Sequence, residues 1–233
     1  MPVEVVAAPD EGVWRVGRAP DPLATTEPLS PSLLDKKSTG NRFDSPTGAY
    51  RVLYFASTLD GCYGETLARF RPDPRILALV EEEWAELSFM RVGDVPADWR
   101  QRRIAVHVMF PAEGRFADGV QFLDVESFET RQELRDELAP TLAFYGYDDL
   151  DVPTVRGGDR RITRWIGQWA YEQTTDGGSP RFAGIRYVSR LNSEWECWAV
   201  FDDVPIAEMN RRPILPSDEA FLRTAKRYRL TPH

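Results

Sequence analysis

At 233 residues the chain is long enough to bury one core. Its 42% hydrophobic and 28% charged residues are the composition of a globular fold, not of a disordered or fibrous chain. A net charge of -8 opposes general binding to nucleic acid or to an acidic membrane, because both partners are repelled at long range.

The cysteines, Cys62 and Cys197, are too few for a disulfide framework. Neither a charged-then-apolar leader nor an apolar run of membrane-spanning length is found, so a cytoplasmic protein with free thiols is expected. His107 and His233 are the only histidines, which leaves no zinc site of the usual kind, and no metal is expected. The chain contains no G-x-S-x-G elbow, no G-x-x-x-x-G-K-[ST] loop and no G-x-G-x-x-G turn.

Residues 1–40 hold many prolines and read as an irregular arm, apart from a short strand over Val13 to Val16. From Arg51 the pattern is β. Val52, Tyr54 and Ala56 share one face and Leu53, Phe55 and Ser57 the other, as in a central strand. Asp60 can cap a following helix whose Leu67 and Phe70 face inward and which "RPDP" ends. A second helix is predicted from about Arg75 to Leu87, with Glu81, Glu82 and Glu83 as a solvated face.

The strand "RIAVHVMF" ends at Pro111, and places His107 in a packed or surface position. Thr130 and Glu133 form a capping box ahead of an amphipathic helix over 131–144. Asp159 can cap the next helix, on which Ile162, Trp165, Ile166, Trp169 and Ala170 form a core stripe. After "TTDGGSP", the strands "FAGIRYVSR" and "WECWAVF" form a hairpin, and a last helix over 218–228 takes Ser217 as its cap.

Polar groups that core packing does not explain occur in "GNRFDSPTGAY", "RVLYFASTLDGCYGETLARF" and "GIRYVSRLN": Arg42, Tyr54, Glu65 and Ser189. Taken singly, each has a bland explanation as a surface or core residue. With the W-R-V start at Trp14, the G-x-R-F segment at Gly40 to Phe43, the "GETLARF" helix and the "CWAVF" strand, their order and spacing resemble the RES domain family. That resemblance implies an α+β fold of ADP-ribosyltransferase-like architecture: a mixed or antiparallel sheet core with flanking helices. It implies one domain over 13–233 with an enlarged middle region over about 72–158.

The resemblance also implies NAD as substrate and a toxin of a toxin-antitoxin pair, held by a helix-turn-helix antitoxin. Arg42, Tyr54, Glu65 and Ser189 take the places of the family's Arg, Tyr, Glu and Ser. Such roles suit the chemistry. A carboxylate at Glu65 can stabilise the oxocarbenium-like ribose left when nicotinamide departs. The Tyr54 ring can stack on nicotinamide, and the Arg42 fork can take the pyrophosphate. Ser189 can donate to phosphate or place the attacking water or phosphate.

Arg15, Phe43, Arg186 and Tyr187 are further binding candidates, with Arg190 beside them. Arg186 and Arg190 share one strand face and Tyr187 and Ser189 the other; the second is the preferred cleft face. Gly61 and Gly64 are expected to serve either close approach of substrate or backbone or simple turn-making. Alternatives to NAD cleavage are ADP-ribosyl transfer to a protein and a non-catalytic nucleotide- or partner-binding module. A retaining glycosidase is remoter, because Glu65 lacks a second carboxylate with a reason to pair with it.

Overall fold

The structure is a computed structural model that describes residues 2–28, 30–78 and 92–233. Its strands are β1 (Val5–Ala7), β2 (Val13–Arg18), β3 (Val52–Ala56), β4 (Asp94–Val95), β5 (Arg103–Met109), β6 (Gln121–Asp124), β7 (Gly184–Val188), β8 (Glu196–Phe201), β9 (Ala207–Pro213) and β10 (Thr231–Pro232). Eight of them form one sheet in the order β1-β6-β7-β8-β3-β2-β5-β9, while β4 and β10 make a small parallel pair. Within the large sheet β6 and β7 run parallel and the remaining pairs antiparallel. The fold is α+β, a mixed sheet with flanking helices. β3 is central, as its two-sided apolar pattern predicts, with Leu53 and Phe55 buried on one face.

The helices are α1 (Pro31–Leu34), α2 (Leu59–Leu67), α3 (Pro74–Leu77), α4 (Ala97–Gln101), α5 (Phe128–Glu137), α6 (Ala139–Tyr145), α7 (Val152–Arg156), α8 (Arg161–Glu172) and α9 (Glu219–Arg227). Most of the predicted helix over 75–87, including the run Glu81 to Glu83, lies outside the described residues. The first forty residues carry more structure than one short strand: β1 pairs antiparallel with β6 at the sheet edge.

Several helix starts differ from their predicted caps. Thr58, not Asp60, caps α2 by accepting from the Gly61 amide, and the Asp60 carboxylate instead pairs with Arg223 of α9 at 2.8 Å. Ser127 caps α5, which leaves the Thr130 hydroxyl to accept from the Glu4 amide at 2.9 Å. The helix predicted over 131–144 is two helices. Pro140 lacks the amide that a continuous ladder needs, so the chain breaks at Leu138 and restarts. Asp159 chelates the Arg161 guanidinium and also accepts from the Arg161 amide at 3.1 Å, one position ahead of the N-cap residue Arg160 of α8, and Asp218 caps α9 in place of Ser217.

The Trp stripe is core in part: Ile162, Ile166 and Ala170 are buried, while Trp165 and Trp169 flank them half-buried. His107 lies opposite Trp14 on β2 and stacks on it, with ring centroids 4.4 Å apart.

Helix α2, which carries Glu65, is fixed from both sides. Tyr63 donates to Asp218 at 3.0 Å, and the Tyr228 hydroxyl donates to the Gly64 carbonyl at 3.1 Å. The buried Trp195 packs against Gly64, where a Cβ would fall 2.1 Å from Cζ3 and 2.3 Å from Cη2 of the indole. This glycine therefore serves close packing of the Trp195 side chain. Gly64→Ala is expected to cost about 1–3 kcal/mol through overpacking, read as a lowered Tm together with a shifted tryptophan emission.

Candidate active site

The site begins where the sheet opens. The ladder between β2 and β3 consists of one pair, Trp14 opposite Ala56. Beyond that pair the Arg15 guanidinium spans the gap, donating from Nη1 to the Tyr54 carbonyl at 2.9 Å and from Nε to the Pro22 carbonyl at 2.7 Å. Burial pulls the Arg15 pKa down to about 10. Over this opening lies a cavity of about 540 Å³ lined by Arg15, Arg42, Tyr54, Glu65, Arg160 and Tyr187 among others, a volume in the range of small-molecule sites.

Register decides which side chains reach it. Residues paired across an antiparallel ladder share a face. Tyr54 pairs with Ala199, Ala56 with Cys197, and Cys197 with Tyr187, so Tyr54, Ala56 and Tyr187 point to one side. That is the Tyr187 and Ser189 face preferred from the sequence. Arg186 pairs with Trp198 and lies on the other side, where it bridges Asp124 at 3.2 Å and Glu196 at 2.9 Å. It is a structural ion pair and does not line the cavity, which corrects its reading as a binding residue. Phe43 is likewise core: it is fully buried and packs on Tyr187 with ring centroids 5.1 Å apart.

Tyr54 does more than present a ring. Its hydroxyl accepts from the Phe43 amide at 2.9 Å and donates to Asp44 at 3.3 Å. Asp44 also takes the Asn41 amide at 2.6 Å, so the loop that carries Arg42 closes on the tyrosine. Gly40, with φ +67°, provides the left-handed entry to that loop. Burial first, then the Asp44 charge, holds the Tyr54 phenol well above its ordinary pKa, which keeps it a neutral donor.

The Arg42 guanidinium donates to the carbonyls of Val155 and, at 3.2 Å, of Arg156, the last turn of α7. Burial lowers its pKa, and the charges of Arg160 and Arg190 add to that.

Glu65 and Ser189 meet directly. The exposed Glu65 carboxylate accepts from the Ser189 hydroxyl at 2.5 Å, and the same hydroxyl accepts from the Leu191 amide at 3.1 Å. Ser189 is 2% exposed, so this contact is fixed from the buried side. The four residues singled out from the sequence thus converge: three line one cavity, and the fourth holds the carboxylate of the third.

The sequence reading missed the support beneath the Arg42 loop. One face of α8 grips it throughout. Arg164, 1% exposed, donates to the carbonyls of Leu34, Lys36 and Thr39. The Thr163 hydroxyl donates to the Arg42 carbonyl at 2.6 Å, and Gln168 accepts from Ser45 and Thr47 at 3.1 and 3.0 Å. At Gly167 an added Cβ would fall 2.5 Å from the Tyr50 hydroxyl and 3.1 Å from the Phe43 carbonyl, so helix and loop touch there. Arg, Thr and Gln set among the isoleucines of an amphipathic helix were the available signal.

The thiols take no part in this chemistry. Cys62 lines the cavity but donates to the Trp14 carbonyl, and burial pushes it up to about 12. Burial also raises Cys197 well above its ordinary value. Because the thiolate is the reactive form, neither cysteine is expected to react with an aromatic disulfide reagent at pH 8 in the folded protein. Both should react in denaturant, as followed by thiolate release.

A family model described as the RES domain matches residues 12–118. The matched stretch is just under half of the chain. The match includes the RES-segment residues Arg42, Tyr54 and Glu65 and stops short of Ser189, which reaches the site through the hydrogen bond to Glu65. No curated protein sequence matches the chain. Among solved structures, the M. tuberculosis MbcT-MbcA toxin-antitoxin complex contains a chain with 11% identity and a TM-score of 0.45. The comparison covers 93% of this chain and 89% of that one. Among the described residues no helix is long and apolar enough to cross a membrane, and no group of His, Cys, Asp and Glu is placed to hold a metal ion.

Proposed function

We propose that the cavity binds NAD and cleaves its bond between nicotinamide and ribose, by water or by phosphate. The observation that carries this reading is the Glu65 carboxylate, held at 2.5 Å by buried Ser189 at the edge of a cavity that Arg42 and Tyr54 also line. The RES match supports NAD as the substrate class, through the resemblance read from the sequence.

In the reaction the C1′–N bond breaks, and its electron pair leaves with nicotinamide, quenching the pyridinium charge. The ribose is left with oxocarbenium character, which a fixed carboxylate stabilises. An oxygen of water or phosphate then bonds to C1′ and gives up its proton to solvent. Glu65 is assigned to the developing positive charge and to the ribose hydroxyls. Ser189 acts through Glu65 as a positioning residue: its proton is directed at Oε1 and so is not aimed at a phosphate. The Tyr54 ring stacks on nicotinamide while its hydroxyl keeps the loop in place. The N–H donors of Arg42 beyond those given to α7 take the pyrophosphate.

In this reading the domain is ADP-ribosyltransferase-like and acts in the cytoplasm as a growth-arresting toxin, with an antitoxin protein as partner. The test is incubation of the purified protein with NAD, with and without phosphate, and product identification by mass spectrometry. Free nicotinamide with ADP-ribose or its 1-phosphate supports cleavage. A mass increment on protein shifts the reading to ADP-ribosyl transfer, and intact NAD overturns it.

A further inference from the structure

The cavity carries more positive charge than NAD requires. Among the described residues, five arginines line it, Arg15, Arg42, Arg69, Arg160 and Arg190, against one carboxylate residue, Glu65. The chain as a whole has the opposite balance, a net charge of -8. Just outside the cavity its arginines meet carboxylates: Arg156 meets Glu126, and Arg161 meets Asp159.

Inside the cavity, among the described residues, they do not. Arg15 and Arg42 donate to main-chain carbonyls, and Arg69 lies over the Phe70 ring at 4.8 Å. Among the described residues, the guanidinium groups of Arg160 and Arg190 have neither an ion-pair nor a hydrogen-bond partner. Arg160 cannot borrow the neighbouring Asp159, whose carboxylate is taken by Arg161 at 2.7 Å and approached by Lys37 at 3.8 Å. Both unpaired groups lie close enough to Arg42 to repel it. Like charges gathered over a low-dielectric wall destabilise the empty protein and are relieved by a bound anion.

NAD brings a pyrophosphate and an opposing pyridinium charge. The Arg42 fork answers the pyrophosphate, which leaves Arg160 and Arg190 without a counterpart. We infer that the cavity takes a dinucleotide bearing a third phosphate, the NADP class, in preference to NAD, with Arg160 and Arg190 binding the additional phosphate. The inference rests on the dinucleotide reading above and names its substrate class.

The test is an equilibrium titration of NADP and of NAD into the Glu65→Gln variant, which slows turnover, in phosphate-free buffer. NADP is expected to bind about tenfold tighter, the factor that one charge-assisted contact typically supplies. The advantage should shrink as salt is raised and fall to parity when Arg160→Gln and Arg190→Gln are combined in the same background. NAD binding as tightly as NADP overturns the preference and leaves the dinucleotide reading standing, whereas no binding of either overturns both. A preference that survives the double substitution overturns the assignment to these arginines.

Discussion

Glu65→Gln is expected to lower NAD turnover by about 100- to 1,000-fold, the cost of about 3 kcal/mol when one preorganised transition-state contact is lost, while Tm changes little. The side chain is exposed and a Gln Oε1 can still accept the Ser189 hydroxyl, so the variant removes charge and keeps shape. A purely structural role for this pair predicts the reverse, near-normal turnover with lowered stability. Ser189→Ala separates the two groups further. It takes away the contact that fixes the carboxylate and also the acceptor of the Leu191 amide. The expected loss is about tenfold in kcat, in line with one charge-assisted hydrogen bond, and smaller than that of Glu65→Gln. Equal losses would mean that Ser189 itself takes part in the reaction.

That these residues could be found from sequence has a physical basis. Strand parity placed Val52, Tyr54 and Ala56 on one face, and all three line the cavity. Parity likewise separated Tyr187 and Ser189 from Arg186. It could not say that Arg186 would find Asp124, a residue on the parallel neighbour β6, because that contact depends on sheet order and not on local pattern.

Helix caps failed for a related reason. Thr58 and Asp60 both suit the start of α2, and the choice was made by Arg223, far along the chain, which draws Asp60 away. The strand-to-helix step from β3 to α2 was legible because the two elements follow directly on each other. The partners of the support under the Arg42 loop were not: Arg164 stands out among the apolar residues of α8, but the three main-chain carbonyls it binds leave no mark on the sequence.

Arg164 is therefore the residue whose removal should have the largest effect at a distance from the substrate. Its guanidinium satisfies the carbonyls of Leu34, Lys36 and Thr39 from inside the protein, and burial already lowers its pKa. Arg164→Ala leaves a cavity and unpaired carbonyls, at an expected cost of about 3 kcal/mol and a Tm lower by about 6–12 °C. The loosened segment leads into Gly40 and Arg42, so the NAD reading predicts a raised KM with a smaller change in kcat. Thr163 still holds the Arg42 carbonyl, and Glu65 lies on a different helix.

A merely global loss of stability would raise amide exchange throughout the core. Local positioning predicts faster exchange confined to about residues 34–43. Arg164→Lys should recover part of the stability and little of the KM, since a single ammonium cannot span three carbonyls as the planar fork does. Unchanged KM and unchanged exchange in the loop, in a folded Arg164→Ala protein, would detach α8 from the placement of Arg42.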